Sequence, residues 1–280
     1  MSYRPSPPAR TIWRLLETQP ASGAWNMAVD EAILEAAGQG FVPPTLRLYA
    51  WEPPCLSLGY AQPIADVQRK ALTARGWDLV RRPTGGRAIL HTDELTYSVS
   101  APHTDPRVAG SVLESYQRLA QALLHALHRL AVPAAAEETY LSENAQETGP
   151  VCFEVPSHWE ITVNGKKLIG SAQVRRKIGV LQHGSLPLQG DLTRITQALN
   201  FPDEATRLEA AQRLLGRATT IETSLAQPVT WRQAADAMIA SFQQTLGLEF
   251  MQGALEPWEK ERARALLEEK YTHPTWTERL

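Results

Sequence analysis

Apolar and polar positions follow two rhythms along this chain, and the changes of rhythm mark its elements. Period-two alternation at residues 11–16, 45–49 and 95–100 predicts strands, and shorter runs at 55–60 and 77–80 predict two more. Residues 160–163 and 167–173 alternate on either side of Asn164-Gly165, a pair suited to a two-residue hairpin because both positions take positive φ. Residues 178–188 add a third strand to that meander. Helical spacing takes over elsewhere. Ser22 is placed to cap a helix in which Trp25, Ala28, Val29, Ala32, Ile33 and Ala36 share a face, with Gly38 as its stop. Asn26 and Asp30 lie one turn apart on the side away from Ile33, and Asp30 is expected on a solvated face. Residues 69–75 read as a short helix closed by Gly76. From Gly110 onward, Val112, Leu113, Tyr116, Leu119, Leu123, Leu127 and Leu130 predict a long core-facing helix, with His125 and His128 on its solvated side. Residues 134–150 read as a loop. Beyond residue 191 the pattern is mostly helical: residues 203–215 stopped by Gly216, a stretch around Met238 between a Thr230 cap and Gly247, and a charge-rich helix from Pro257 to about Tyr271.

Two stretches carry candidate chemistry. Residues 81–87, RRPTGGR, follow a strand directly. A glycine pair there lets backbone N–H groups turn toward an anion or carbonyl. With three arginines beside it, the turn is either a cradle for a polar ligand head or an ordinary hairpin turn with solvated side chains. The second stretch, residues 151–173, runs VCFEVPSHWEITVNGKKLIGSAQ. It opens with Cys152, turns at Asn164-Gly165 and leaves through the small residues Gly170, Ser171 and Ala172. An unbroken two-residue hairpin sets Lys166 and Leu168 beside Val163 and Ile161, and Lys167 beside Thr162 and Glu160. Lys167 therefore falls on the more polar face. A thiol attacks only as thiolate and has an ordinary pKa of about 8.5, so a nearby ammonium would activate it. Spacing alone leaves open whether Cys152 is that nucleophile or an inert thiol.

Composition narrows the classes. A net charge of −2 supplies no field that would favour nucleic acid or a membrane surface. No apolar run approaches the roughly 20 residues of a membrane helix, and the N-terminal residues lack the apolar core of a secretory signal. Two cysteines, Cys55 and Cys152, make no disulfide framework, which fits a cytoplasmic protein with reduced thiols. There is no CxxC, HExxH or Walker-type GxxxxGK[ST] motif, so the strong metal and P-loop signatures are missing.

Several motifs in order then point to a family. The sequence resembles the lipoate–protein ligase/biotin–protein ligase superfamily, and within it the cysteine-dependent octanoyltransferases. The resemblance is carried by SGAWNMAVDEAI (22–33), PPTLRLYAWEPPCLSLGYAQ (43–62), VRRPTGGRAILH (80–91), ELTYSV (94–99), residues 151–173, GVLQHGSL (179–186) and EEKYTHPTW (268–276). It implies an α/β (α+β) fold with a large mixed β-sheet, a smaller sheet and packed helices. It implies a catalytic domain over residues 1–250, with residues 251–280 as a helical extension packed on it. It further implies transfer of an octanoyl group from octanoyl-acyl carrier protein to a lysine of a lipoyl domain, such as that of the glycine cleavage H protein. No ATP or metal is expected, and a monomer is. By matching positions, Cys152 would carry the acyl thioester and Lys167 would lower its pKa. Arg82, Gly85, Gly86, Arg87 and His91 would line the pocket. Gly170, Ser171 and Ala172 would bind substrate with them, and His183 and Gly184, in the HGS segment at 183–185, would lie opposite. Asp93 stands one place later than the acid that often follows the motif histidine. The nearest alternatives are an ATP-dependent lipoate–protein ligase, an amidotransferase between lipoyl domains, and a non-catalytic acyl-carrier or lipoate-binding module.

Overall fold

A computed structural model describes residues 11–138 and 159–280. Its strands, in chain order, are β1 (Thr11–Glu17), β2 (Thr45–Tyr49), β3 (Cys55–Leu58), β4 (Asp78–Arg81), β5 (Ile89–His91), β6 (Glu94–Ala101), β7 (Ala135–Glu138), β8 (Trp159–Val163), β9 (Lys166–Arg176), β10 (Gly179–Pro187) and β11 (Leu248–Gln252). The helices are α1 (Gly23–Gly38), α2 (Arg69–Arg75), α3 (Val112–Arg129), α4 (Glu204–Arg217), α5 (Ile221–Leu225), α6 (Trp231–Leu246), α7 (Pro257–Leu266) and α8 (Pro274–Thr277). Eight strands form a sheet in the order β11-β1-β2-β6-β10-β9-β8-β7, and β4-β3-β5 form a smaller one. The large sheet is mixed: β1 runs parallel to both β11 and β2, and the other pairs are antiparallel.

Both faces of the large sheet are covered, and this explains its residue pattern. On one face Trp13, Leu15, Leu46 and Leu48 pack with Leu119, Leu123 and Leu127 of α3 and with Met238 and Phe242 of α6. On the other, Leu16 and Tyr49 meet Met27, Val29 and Ile33 of α1, backed by Ala263 and Leu266 of α7. Each fully buried Leu, Ile or Met stabilises by roughly 1.5–3 kcal/mol. A third cluster fills the space around the small sheet, with Leu56 and Leu58 against Leu72 of α2 and Leu214 of α4.

The local signals resolve as physical chemistry requires. Ser22 accepts from the Trp25 N–H, and Thr230 forms a capping box with Gln233. Gly76 and Gly247 close their helices in the left-handed region. Asn164 and Gly165 take φ of 51° and 72°, so the hairpin turn has the expected hand.

Several expectations are corrected. Asp30 is fully buried, because α1 is covered by the sheet on one side and α7 on the other and so has no solvated face there. Val112 and Leu113 are exposed in the first turn after the Ser111 cap, and the buried face begins at Ser115. Helix α4 runs through Gly216 to Arg217 rather than stopping. Residues 135–138 are strand β7, not loop, paired with β8; the rest of the expected loop lies outside the described residues. Strand β11 is an addition to the helical C-terminal part, and the expected boundary at residue 250 falls inside it. In the hairpin a register shift between Ile161 and Thr162 sets Ile169, not Leu168, opposite Ile161, while Thr162 faces Lys167 as expected.

Candidate functional site

Small residues on β9 and β10 make room for a recess where the two sheets meet. Ser171 pairs with Gly184 across the ladder. A β-carbon on Gly184 would lie 2.5 Å from the Tyr97 ring and 2.7 Å from the Ser171 Oγ, so only glycine fits. Gly170, Ser171, Ala172, His183, Gly184 and Ser185 form one side of the recess. Met27, Tyr49, Trp51 and Ile89 supply apolar walls, and Ser57, Arg82, His91 and Thr96 complete it. The empty space is about 380 Å³, a figure that counts open solvent at its mouth.

Two buried histidines border this space, each fixed from both ring nitrogens. His91 Nδ1 lies 2.7 Å from Glu94 Oε1, and its Nε2 lies 2.8 Å from Ser57 Oγ. Its ring stacks on Trp51, with centroids 3.9 Å apart and planes 8° from parallel. Burial pushes the Glu94 carboxyl up, but His91, Ser185 and Thr96 outweigh it and hold the carboxyl below its usual range. His183 contacts Thr84 Oγ1 through Nε2 at 2.6 Å and Asp30 through Nδ1 at 3.4 Å. Burial lowers the pKa of His183, more than Asp30 raises it, so the ring is neutral near pH 7. Asp30 also accepts from Arg47 (2.7 Å), Tyr49 Oη (2.9 Å) and Ser98 Oγ (2.8 Å). Burial pushes its carboxyl up, and Arg47 and His183 together bring it below the ordinary value.

The motif arginines differ in what they do. Arg81 is fully buried and donates to the carbonyls of Gly59, Tyr60, Gln62 and Thr277. Arg82 donates to the carbonyls of Ser57, Gly85 and Arg87. Arg82 thus braces the glycine turn, and Arg81 ties the 59–62 loop to the C-terminal helix; neither is solvated. Gly85 and Gly86 are exposed on that turn, and Arg87 is half-buried. Gly86 has φ of +91°, and its carbonyl approaches Gly59 so closely that a β-carbon added to Gly59 would lie 1.8 Å from it.

The structure thus brings Arg82, His91, Gly170, Ser171, Ala172, His183 and Gly184 to one recess. Among the described residues that line it, Gly85, Gly86, Arg87 and Lys167 do not appear. Lys167 is buried on β9, three residues before Gly170, with Nζ 2.8 Å from Glu160 Oε1. Lys166 reaches instead to the Leu215 carbonyl, at 2.6 Å. Cys152 lies outside the described residues. Asp93 pairs with Arg194 away from the recess. Cys55 is fully buried on β3, and burial pushes its thiol well above the usual range, as an inert thiol requires. Sequence reasoning passed over Glu94, Trp51 and Asp30. The His-x-x-Glu spacing of His91 and Glu94 was the one local signal for any of them. An apolar slot with internally satisfied polar walls suits a linear apolar ligand, because its polar groups need nothing from that ligand.

Comparison with known proteins agrees with this geometry. The lipoyl protein ligase A/B catalytic domain model matches residues 22–243. The chain is 41% identical over 271 residues to octanoyltransferase LipM of Kyrpidia tusciae, covering 95% of this chain and 98% of that protein. It is 40% identical over 275 residues to octanoyltransferase LipM of Symbiobacterium thermophilum, covering 96% and 99%. Among solved structures it is similar to a bipartite lipoate protein ligase from Thermoplasma acidophilum, studied with its E2 lipoyl domain. That match has a TM-score of 0.77, 25% identity and 96% coverage of both chains. No helix among the described residues is long and apolar enough to cross a membrane.

Proposed function

This chain belongs to the lipoyl protein ligase A/B catalytic domain family, and from that premise we propose that it is an octanoyltransferase of lipoate biosynthesis. The donor is octanoyl-acyl carrier protein, the acyl group rests on Cys152 as a thioester, and the acceptor is a lysine of a lipoyl domain such as the glycine cleavage H protein. The observation that carries this reading is the near full-length identity, about 40%, to octanoyltransferases LipM. The protein works in the cytoplasm as a monomer.

The reaction runs in two transfers. The Cys152 thiolate attacks the thioester carbonyl, the bond to the carrier sulfur breaks, and the carrier thiolate leaves and takes up a proton. The acceptor amine, neutral when it attacks, then displaces the Cys152 thiolate and forms the amide. Its surplus proton passes to the departing sulfur. The donor is already activated, so no ATP is consumed. The recess takes the octanoyl tail, because each CH₂ withdrawn from water contributes roughly 0.8 kcal/mol. Trp51 and Met27 offer apolar contact, and Gly170 and Gly184 leave the width for it. Lys167, buried and steadied by Glu160, supplies the positive charge that favours the Cys152 thiolate and the developing oxyanion. Arg82, Gly85, Gly86 and Arg87 shape the mouth through which the carrier's arm enters.

Lys167→Ala is expected to raise the Cys152 pKa and slow its alkylation by iodoacetamide near pH 7; an unchanged pH profile would remove Lys167 from this role. The function itself is tested by mixing the protein with octanoyl-carrier protein without ATP and taking an intact mass. An octanoyl adduct mapped to Cys152, discharged by a lipoyl domain, is the expected result. No adduct, together with ATP-dependent lipoylation, would replace this reading with that of a ligase.

A further inference from the structure

Glu94 is buried, lies at the start of β6, and has not been assigned any part in the transfer. Its carboxylate accepts from three side chains. Oε1 takes His91 Nδ1 at 2.7 Å and Thr96 Oγ1 at 2.5 Å, and Oε2 takes Ser185 Oγ at 2.5 Å. Thr96 Oγ1 in turn accepts from Trp51 Nε1 at 2.7 Å. One carboxylate therefore reaches both members of the Trp51–His91 stack: the imidazole directly, the indole through a single hydroxyl. The two rings overlie each other nearly parallel, and both face the recess.

We propose that Glu94 is a specificity-determining positioning residue, which locks the Trp51–His91 stack as one wall of the acyl slot and thereby sets the chain length the slot accepts. This rests on the acyl-transfer reading above. An ionised carboxylate only accepts hydrogen bonds, so His91 must donate from Nδ1. Nε2 lies 2.8 Å from the Ser57 hydroxyl, and Arg82 Nη1 donates to that same Oγ at 3.2 Å. Both ring nitrogens are thus held along the path Arg82–Ser57–His91–Glu94. A ring held at both nitrogens and stacked on an indole has no second rotamer of similar energy. The Ser57 hydroxyl is engaged by both His91 and Arg82, so this path orients the wall. The facing wall, Gly170 to Ala172 with Gly184, belongs to the β9–β10 ladder, where Ser171 pairs with Gly184 and its hydroxyl lies 2.7 Å from Tyr97 Oη. On the Trp51–His91 side, slot width follows where Glu94 holds the aromatic pair.

The Glu94→Leu variant tests this. Its side chain has no acceptor, so His91 Nδ1, Thr96 Oγ1 and Ser185 Oγ all lose their shared partner and the Trp51–His91 stack loses its tether. Thr96→Val is the milder second variant: it is nearly isosteric, leaves Glu94 in place and removes only the bridge to Trp51. Rates of adduct formation are measured with hexanoyl-, octanoyl- and decanoyl-carrier protein. Both variants are expected to flatten the chain-length profile, with the octanoyl preference falling about tenfold, the discrimination a methylene or two carries in an apolar pocket. A purely structural residue would lower all three rates by a common factor. A uniform loss in both variants, or an unchanged profile, overturns the proposal and leaves acyl transfer standing. A wild-type protein that takes no acyl group from any of the three donors overturns the acyl-transfer reading, and this one with it.

Discussion

Cys152→Ala is expected to abolish the acyl-enzyme adduct and to lower octanoyl transfer by roughly 10³- to 10⁶-fold, the loss seen when a covalent nucleophile is deleted. The size follows from how little can replace it. The chain has two cysteines. The other, Cys55, is fully buried on β3, and burial pushes its thiol well above the usual range. It is also walled in, since a β-carbon added to Gly23 would lie 2.2 Å from its sulfur. A thiol so placed is neither ionised nor accessible. Serine at position 152 is expected to transfer far more slowly than cysteine, because a hydroxyl near neutral pH has almost no anionic fraction. Intact mass after exposure to octanoyl-carrier protein reads both variants. An adduct that persists in Cys152→Ala would show that the acyl group rests elsewhere and would end the proposed mechanism.

Arg47→Ala is expected to cost about 3–5 kcal/mol of stability, the usual penalty for removing one partner of a buried ion pair. Arg47 binds Asp30, the Asn26 carbonyl and Asn26 Oδ1 at 2.7, 3.1 and 2.7 Å, and it stacks on the Tyr49 ring. Without it, Asp30 has no arginine to offset burial. The pH dependence has a definite sign. In the wild type the Asp30 carboxyl lies below its ordinary value of 3.8, so its contribution is complete above that value and is lost as pH falls through the lower folded value. In the variant, burial wins and the folded carboxyl moves above 3.8. The charged form is then penalised at neutral pH, and the deficit narrows as acid protonates it. Urea midpoints at pH 7 and near pH 4 measure this. A deficit under about 1 kcal/mol at pH 7 would mean that the pair is not what holds α1 to the sheet.

These two cases also mark what the sequence makes legible. Short-range devices were readable: Ser22 as a cap, Gly76 and Gly247 as stops, Asn164-Gly165 as a turn. Each depends on groups within a few residues. Asp30 was not readable, because its burial is decided by Arg47 on a neighbouring strand and by α7, which covers α1 from near the other end of the chain. Helix α1 offered an apolar stripe, and nothing local said that its opposite side was also covered. Strand β11 was hidden for the same reason: five residues after a helix stop mean little until β1 is there to pair with them. In the site, motif glycines and His183 stood out by residue type. Glu94 did not, since a glutamate beginning a strand is usually solvated, and only the convergence of His91, Thr96 and Ser185 makes this one an acceptor in the core.

The parallel pairing of β1 with β11 has a consequence for how the protein comes into being. Synthesis proceeds from the β1 end, yet β1 lies between β2 and β11 and keeps an open edge until residue 252 has emerged. Its Arg14, almost wholly buried, meanwhile waits for Glu259, which grips it at 2.7 and 2.6 Å. A nascent chain on the ribosome therefore carries an unpaired strand edge through nearly the whole of translation, and its Arg14 can be buried only once Glu259 is there to pair with it. Contacts of such long sequence separation close late and slowly. The C-terminal segment is thus less an appendage than the clasp of the sheet, because it covers an edge of β1 that would otherwise stand open to another strand.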